Sequence, residues 1–344
     1  MRLLKSKAAA AFFAAVITIT PGVAAQSGRA AQQNPQQASR QEKDKRDDAA
    51  IRIDTDLVTL TATVTDGRGR FAANLRQSDF TVYENGVKQE LAYFKTGDQV
   101  PISLGVLFDT SGSMVDKIDD VRDAVGHFVE SVSPGDEIFL IRFSSDAELA
   151  QDFTDDRGRI LRAIDRLNPR GSTALYDAIL MGLQLVAEGK HNRRALMLVT
   201  DGNDTSSSVD LATTLNLARE SEVIIYALGI GHGERGSFGH GGHGRGVIFG
   251  RQSRDEVDMK ALRQLAEATG GEAFHLENAH AGGRDLVDEA AAQVAAELKR
   301  QYLLGYYPSN TRKDGAFRQI KVEVADKSLR ARAKRGYYAP RGDG

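Results

Sequence analysis

The sequence has 344 residues, 45 of them basic and 47 acidic, and it contains no cysteine. A chain of this length can bury a sizeable core in one large domain or in two ordinary ones. Because charges of both signs are interspersed without a basic face, the composition argues against nucleic acid as a partner. Without disulfides, stability must come from core packing and from any metal that is bound.

The N-terminal residues 1–25 have the pattern of an export signal. A basic start is followed by an apolar core at 8–20 and by small residues that predict cleavage before Gln26. The alternative, a retained amphipathic anchor, requires a polar face that this core lacks. The signal pattern predicts an exported protein, periplasmic or extracellular. No later stretch reaches about 20 apolar residues, so we expect no membrane span after signal removal. Residues 26–50 contain no large apolar side chain and predict a disordered spacer.

Two segments with β-strand patterns flank the middle of the chain. In the N-terminal segment, 51–97, apolar and polar residues alternate from 58 to 64, and the pair Asn85-Gly86 predicts a hairpin turn. The C-terminal segment, 301–344, shows similar alternation. Neither segment is large enough to fold alone, so we expect the two to pair as one small β-sandwich around an inserted domain.

The middle of the chain, 98–300, alternates apolar runs with segments of helical spacing. This alternation predicts a doubly wound α/β fold, with helices on both faces of a mostly parallel sheet. Four apolar runs predict buried strands, at residues 102–108, 138–143, 195–200 and 223–228. Four segments have helical spacing, at residues 118–132, 175–185, 259–269 and 287–298. The segment 149–153 follows the second run too closely for a crossover helix, so we predict an antiparallel edge strand there.

Three loops at the ends of predicted strands or before predicted helices carry oxygen-bearing side chains. Asp109, Ser111 and Ser113 directly follow the first buried run. Thr173 lies in a Gly-Ser-Thr turn before a helix, and Asp201 follows another buried run. Right-handed crossovers bring such loops to the same edge of a parallel sheet. Hydroxyls and carboxylates together suit an octahedral cation that keeps some water, which means Mg²⁺ first and Mn²⁺ or Ca²⁺ next.

The same hydroxyls could instead cap helices. Ser113 and Asp116 form a Ser-x-x-Asp box before the first helix, and Ser172 or Thr173 could cap a later one. Capping alone would not require the carboxylate of Asp109 as well. The sequence therefore favours the metal site over the caps.

The order of these motifs resembles the von Willebrand factor type A (VWFA) domain with its metal-ion-dependent adhesion site. The resemblance lies in Asp-x-Ser-Gly-Ser, the Thr of Gly-Ser-Thr, and Thr-Asp-Gly, and it covers about residues 101–300. Its five metal-site positions correspond to Asp109, Ser111, Ser113, Thr173 and Asp201. The segments 79–86 and 335–338 are similar to those of bacterial secreted proteins described as VWFA-related.

The resemblance implies a non-enzymatic adhesion module. In the VWFA family the ion leaves one coordination position open, and an acidic side chain of a protein partner fills it. We therefore expect a partner that presents Asp or Glu. In that family a switch in the metal ligands can also move the last helix, which corresponds here to residues 285–304.

Two other functions remain open from the sequence. A Mg²⁺-dependent hydrolase is one, although we find no phosphate-binding Gly-x4-Gly-Lys loop, no Gly-x-Ser-x-Gly and no His-Glu-x-x-His motif. Distance along the chain does not exclude His127 or His191 from the site in the fold. The other alternative is an envelope scaffold, in which the metal only stiffens the loops.

The segment 231–254 is rich in glycine and histidine and departs from a compact VWFA domain. Its histidines, His232, His240 and His243, could gather a transition metal. Because a glycine-rich backbone holds ligands poorly, we expect a mobile surface loop instead.

Overall fold

The computed structural model describes residues 57–231, 257–276 and 284–342. In chain order its strands are β1 (Val58–Thr65), β2 (Phe80–Glu84), β3 (Val87–Gln89), β4 (Leu91–Thr96), β5 (Ile102–Asp109), β6 (Glu137–Phe143), β7 (Ala147–Thr154), β8 (Arg193–Thr200), β9 (Val223–Ile230), β10 (Ala273–Leu276), β11 (Tyr302–Tyr306), β12 (Phe317–Val324), β13 (Arg330–Arg332) and β14 (Gly336–Tyr338). Its helices are α1 (Ile118–Ser131), α2 (Arg157–Asp165), α3 (Leu175–Ala187), α4 (Leu211–Glu220), α5 (Met259–Thr269) and α6 (Arg284–Arg300).

Six strands form the central sheet, in the order β10-β9-β8-β5-β6-β7. All neighbours are parallel except β7, which runs antiparallel to β6 at the edge. Every residue of β5 is buried, because helices cover both faces of the sheet. Gly105 in β5 is needed for this packing, since a Cβ there would lie 2.3 Å from the Phe139 ring. The predicted doubly wound sheet and its antiparallel edge strand are confirmed.

The flanking segments form two further sheets, in the orders β13-β1-β11-β4 and β14-β12-β2-β3. Each sheet combines strands from both ends of the described chain, and all of their neighbours are antiparallel. A shared apolar core lies between the sheets, where the rings of Phe80 and Tyr302 are 5.1 Å apart. The predicted pairing of the two flanking β segments is confirmed.

Buried ion pairs and hydrogen bonds join the flanking sheets to α6. The Glu297 carboxylate on α6 accepts hydrogen bonds from Thr63 Oγ1 at 2.7 Å and from Arg332 Nη2 at 2.7 Å. It also accepts one from the Tyr226 hydroxyl of β9, at 2.8 Å. Residues Thr55–Gly344 accordingly group as one compact unit.

Some boundaries differ from the sequence-based prediction. The last helix ends at Arg300 rather than at 304, because the chain from Tyr302 onward pairs with β1 and β4. Helices α2 and α4 and the short strand β10 were not predicted. The predicted signal and spacer lie outside the described residues, as does nearly all of the predicted glycine- and histidine-rich loop, 231–254. Across the residues that are described, no helix has both the length and the apolarity to cross a membrane.

Candidate metal centre at the strand ends

Backbone hydrogen bonds bring three loops together at the carboxyl edge of the central sheet. The N–H of Thr110, just past β5, donates to Phe143 O at the end of β6, at 2.7 Å. The N–H of Gly112 donates to Gly171 O at 3.0 Å, which ties the β5 loop to the turn before α3. Gly171 has a φ of +83°, a conformation that favours glycine. These backbone hydrogen bonds therefore hold the loop of Ser111 and Ser113 next to the turn that carries Thr173.

Two carboxylates lie at the base of the site, and both are fully buried. Asp109 Oδ2 accepts a hydrogen bond from Thr200 Oγ1 at 2.6 Å, and its Oδ1 accepts one from the N–H of Ser111 at 2.8 Å. Burial raises the pKa of Asp109 to about 6. The Thr200 hydrogen bond opposes this increase, and the nearby charge of Asp201 adds to it.

The serine hydroxyls connect these carboxylates to the surface. Ser111 Oγ and Ser113 Oγ are 3.0 Å apart, and Ser113 Oγ donates to Asp201 Oδ1 at 2.7 Å. Asp201 and Ser111 are buried, whereas Ser113 is exposed. The site therefore opens to solvent at Ser113.

Thr173 lies beside the same cluster without a direct hydrogen bond to its carboxylates. A Cβ built on Gly202 would lie 3.5 Å from Thr173 Oγ1 and 4.0 Å from Ser113 Oγ. The two hydroxyls thus flank one small space, which glycine at position 202 leaves open. Hydrogen bonds hold the Thr173 backbone, whose N–H donates to Thr205 Oγ1 at 2.9 Å.

The capping interpretation is wrong for these residues. Helix α1 has Lys117 at its N-cap and α3 has Ala174, and neither helix receives a side-chain hydrogen bond from its N-cap residue. The first N–H of α3 instead donates to Asp204 Oδ1, at 2.8 Å. The Ser113 hydroxyl donates to Asp201, as described above, and does not cap α1.

Lys117 is a site residue that the sequence interpretation missed. Its side chain is fully buried, and its Nζ lies 2.5 Å from Asp201 Oδ2. It directly precedes α1 and lies four residues before Val121, which is on the buried face of that helix. The spacing of Lys117 from Val121 is therefore the sequence signal that could have marked this lysine as pointing inward.

Neither candidate histidine contacts the carboxylates. His127 on α1 forms a 2.9 Å contact with Asp288 on α6. His191, just before β8, lies 3.0 Å from Gly135 O, which precedes β6 and so lies at the opposite edge of the sheet.

The assembled donors fit a hard divalent cation. They are two carboxylates and three hydroxyls, all oxygen, which is the ligand type that Mg²⁺ prefers. No group of three or more His, Cys, Asp or Glu side chains suited to a metal occurs in the described residues, so any metal here would depend on the hydroxyls. Lys117 offsets one of the two carboxylate charges, which leaves the cluster with one net negative charge.

The fold and this strand-end cluster define an α/β domain with an oxygen-lined loop edge. The profile of the von Willebrand factor type A domain family matches residues 104–288, which is more than half of the chain. The chain belongs to this family.

Individual relatives match only in part. An uncharacterized protein of Synechocystis is 28% identical over 138 residues, covering 39% of this chain and 33% of that protein. Bovine inter-alpha-trypsin inhibitor heavy chain H4 is 27% identical over 157 residues, covering 40% of this chain and 17% of that protein. The chain thus spans well under two thirds of the length of these curated relatives.

Solved structures with a similar fold include bacterial domains. A von Willebrand factor type A protein from Catenulispora acidiphila aligns with a TM-score of 0.47 and 12% identity, covering 83% of this chain and 73% of that one. BatB from Bacteroides thetaiotaomicron aligns with a TM-score of 0.42 and 16% identity, covering 57% of this chain and 99% of that one. Structural similarity at these TM-scores and identities supports no conclusion about function.

Proposed function

We propose that this protein is an exported, divalent-metal-dependent binding module that coordinates an Asp or Glu side chain of a protein partner. Asp109, Ser111, Ser113, Thr173 and Asp201 would hold the metal, with Mg²⁺ the preferred ion. The observation that supports the proposal is the run of contacts from Asp201 through Ser113 to Ser111, with Thr173 beside Ser113 at an edge that opens to solvent. Domains of this family act in protein–protein interaction and are generally not enzymes, which agrees with this assignment.

The hydrogen bonds orient the hydroxyls for this task. Because Ser113 donates its proton to Asp201, it accepts the 3.0 Å hydrogen bond from Ser111 Oγ, and one lone pair of its oxygen remains available to a cation. Lys117 Nζ donates to the other oxygen of Asp201. Asp201 therefore contributes to the site mainly through its hydrogen bond with Ser113. Asp109 then supplies the remaining buried negative charge.

Charge explains why an acidic partner would bind. A bound Mg²⁺ supplies a positive charge with an open coordination position, which a carboxylate can fill. The cluster has one net negative charge, so it neutralises a divalent cation only in part. The side chains that would hold the cation are buried except for that of Ser113, and this burial would strengthen its attraction for an incoming Asp or Glu.

Export rests on the sequence pattern of residues 1–25. We propose removal of that segment, a spacer at 26–50, and the VWFA domain at 98–300 between the paired β segments 51–97 and 301–344. The mature protein would then act in the periplasm or outside the cell.

A binding role is favoured over hydrolysis by the residues around the site. A metal-dependent hydrolase needs a base that can take a proton from water near the cation. Both imidazoles considered for this role make their contacts elsewhere, and the Lys117 ammonium is buried in an ion pair. No specific observation therefore favours a hydrolase.

A pull-down tests the proposal. The whole chain and its Asp109→Asn, Thr173→Ala and Asp165→Asn variants are each incubated with native envelope and medium, with Mg²⁺ or with EDTA. We expect a specific partner only for wild type and for Asp165→Asn, an exposed control on α2, and only with Mg²⁺. Capture that is the same in every condition contradicts the proposal and favours a scaffold. Metal-dependent turnover that Asp109→Asn abolishes would favour the hydrolase instead.

A further inference from the structure

A cavity of about 430 Å³ lies at the amino edge of the central sheet, opposite the metal site. One wall consists of the first residues of β8 and β9, including Arg194 and Ile224. The other wall is the face of the β13-β1-β11-β4 sheet that points away from the sandwich core. Thr61 and Leu303, which are paired in register, contribute to that face together with Tyr93. The cavity is therefore built only where the flanking sheet meets the VWFA domain.

Lys334 is one of the residues that line this cavity. Its backbone passes close to the end of α5, where a Cβ on Gly270 would lie 2.7 Å from Lys334 N. Burial lowers the pKa of the Lys334 amine, and the charge of Glu222 partly opposes this effect. Within the described ranges the ammonium has no hydrogen bond and no ion pair, and its ring contact is with Tyr337 at 5.9 Å.

A desolvated cation without a partner is costly to the fold, because water no longer stabilises its charge. The surrounding structure offers little compensation. Glu222, the carboxylate that lines the cavity, is exposed and already accepts a hydrogen bond from Thr59 Oγ1 at 3.2 Å. A perturbed cation that lines a cavity is a candidate for ligand binding.

A second cation adds to the positive character of the cavity. Arg194 donates through Nη2 to Ala187 O at 3.0 Å, but its buried Nε has no partner among the described residues. The other basic side chains of the lining are already engaged, since Lys190 pairs with Glu137 and Arg193 donates to several carbonyl groups. Glu222 is the one acidic residue in the lining, which also contains Lys190, Arg193, Arg194 and Lys334, so the lining carries an excess of positive charge.

The remaining walls are largely apolar. They include the side chains of Leu57, Pro101, Val223 and Leu303, and the ring of Tyr93. The volume falls within the roughly 300–1,000 Å³ typical of small-molecule sites. An excess of positive charge beside apolar walls, in a cavity of this size, is complementary to an amphipathic anion.

We propose that this junction cavity binds a fatty-acid-like ligand, a carboxylate head on an unbranched apolar tail. The head contacts Lys334 and Arg194, and the tail lies along Tyr93 and Leu303. The ligand supplies the carboxylate partner that Lys334 lacks among the described residues. This site is independent of the metal-dependent function proposed above.

Calorimetric titration of the whole chain with decanoate tests the proposal. We expect saturable binding to wild type, and at least roughly tenfold weaker binding to Lys334→Met, the loss expected for a charge-assisted contact. Lys327→Met, which removes an exposed lysine from a turn, should bind as wild type does. Decyltrimethylammonium, with the opposite head charge, should not bind.

A second variant separates loss of the site from loss of the fold. Thr61→Trp adds an indole to the cavity from β1, where an aromatic residue suits a strand, and it leaves Lys334 in place. We expect a folded protein, judged by circular dichroism, that no longer binds decanoate. Equal affinity for decanoate in wild type and Lys334→Met overturns the proposal, and so does the absence of saturable binding to wild type.

Discussion

The two edges of the central sheet each hold a lysine in the opposite electrostatic setting, fully buried at the carboxyl edge and half-buried at the amino edge. At the carboxyl edge, Lys117 lies 2.5 Å from Asp201, in a cluster that has more carboxylates than cations. At the amino edge, Lys334 has no ion-pair partner among the described residues and lies among apolar walls. The first edge therefore requires additional positive charge and the second requires additional negative charge. Their expected ligands follow from that difference, a divalent cation at one edge and an organic anion at the other.

The largest effect on stability is expected from Lys117→Met in metal-free buffer. This change leaves Asp201 buried beside Asp109 without its cation, and losing one partner of a buried pair costs about 3–5 kcal/mol. Mg²⁺ should restore part of the loss. Urea unfolding with EDTA and with Mg²⁺ measures both effects.

Lys190→Met is the matched control, because its partner Glu137 is buried but Lys190 itself is exposed. An exposed lysine should contribute less than about 1 kcal/mol. Equal losses in the two variants would show that Lys117 does not neutralise a buried charge.

A second substitution should affect metal binding without affecting the fold. The methyl group of Gly202→Ala would meet Thr173 Oγ1 and Ser113 Oγ at ordinary contact distances, so the metal-free protein should keep its stability. The methyl group would occupy the space between the hydroxyls and weaken Mg²⁺ binding by at least roughly tenfold, or about 1.4 kcal/mol.

Calorimetric titration with Mg²⁺ measures this effect, and thermal unfolding in EDTA checks the fold. Gly67→Ala, in an open turn, is the control. Unchanged Mg²⁺ affinity in Gly202→Ala would place the metal elsewhere.

Lys334→Met should act on stability in the opposite direction to Lys117→Met. Removing a half-buried charge that has no ion pair among the described residues is expected to raise the free energy of unfolding by about 1 kcal/mol at neutral pH. Urea unfolding without added ligand measures the change. A loss of stability would mean that the ammonium has a stabilising partner, and it would remove the contrast between the two edges.

The smallest predicted effect on stability comes from the contact between His127 on α1 and Asp288 on α6. The hydrogen bond with Asp288 raises the pKa of His127 above its usual value. The stabilisation by this pair is therefore complete below the unfolded-state pKa and is lost as the pH rises through the folded-state pKa.

His127→Gln should remove this pH dependence. Melting temperatures at about pH 5.5 and about pH 8.5 provide the comparison. The drop in melting temperature between the two pH values should be slightly larger for wild type than for the variant. Equal drops in both proteins would show that the contact is not ionic.

The candidate metal-site residues at the carboxyl edge could be predicted from the sequence, whereas the cavity at the amino edge could not, and the reason is physical. Asp109 and Asp201 directly end buried strands, so strand order alone places them together. Lys117 precedes α1 in register with its apolar stripe, and this register indicates that the side chain points inward but not that it reaches Asp201. The cavity at Lys334 depends on how the flanking sheet packs on the VWFA domain, which no local pattern specifies.

The missed elements have weak local signals. Helix α2 buries only Ile160 and Ile164, and β10 has four residues with Leu276 as the buried one. Helix α4 had a recognisable start, since Asp210 accepts a hydrogen bond from the N–H of Thr213 at 2.8 Å. Its apolar stripe is interrupted by polar residues, so the periodicity alone did not predict it.

Direct calorimetric titration with Mg²⁺ tests the central claim. Metal-stripped wild type, Asp109→Asn and Asp165→Asn are compared. Burial already disfavours the charge of Asp109, so the neutral asparagine should fold. We predict one Mg²⁺ site in wild type and in Asp165→Asn, and at least roughly tenfold weaker binding in Asp109→Asn. Equal Mg²⁺ affinity in all three proteins would contradict the account.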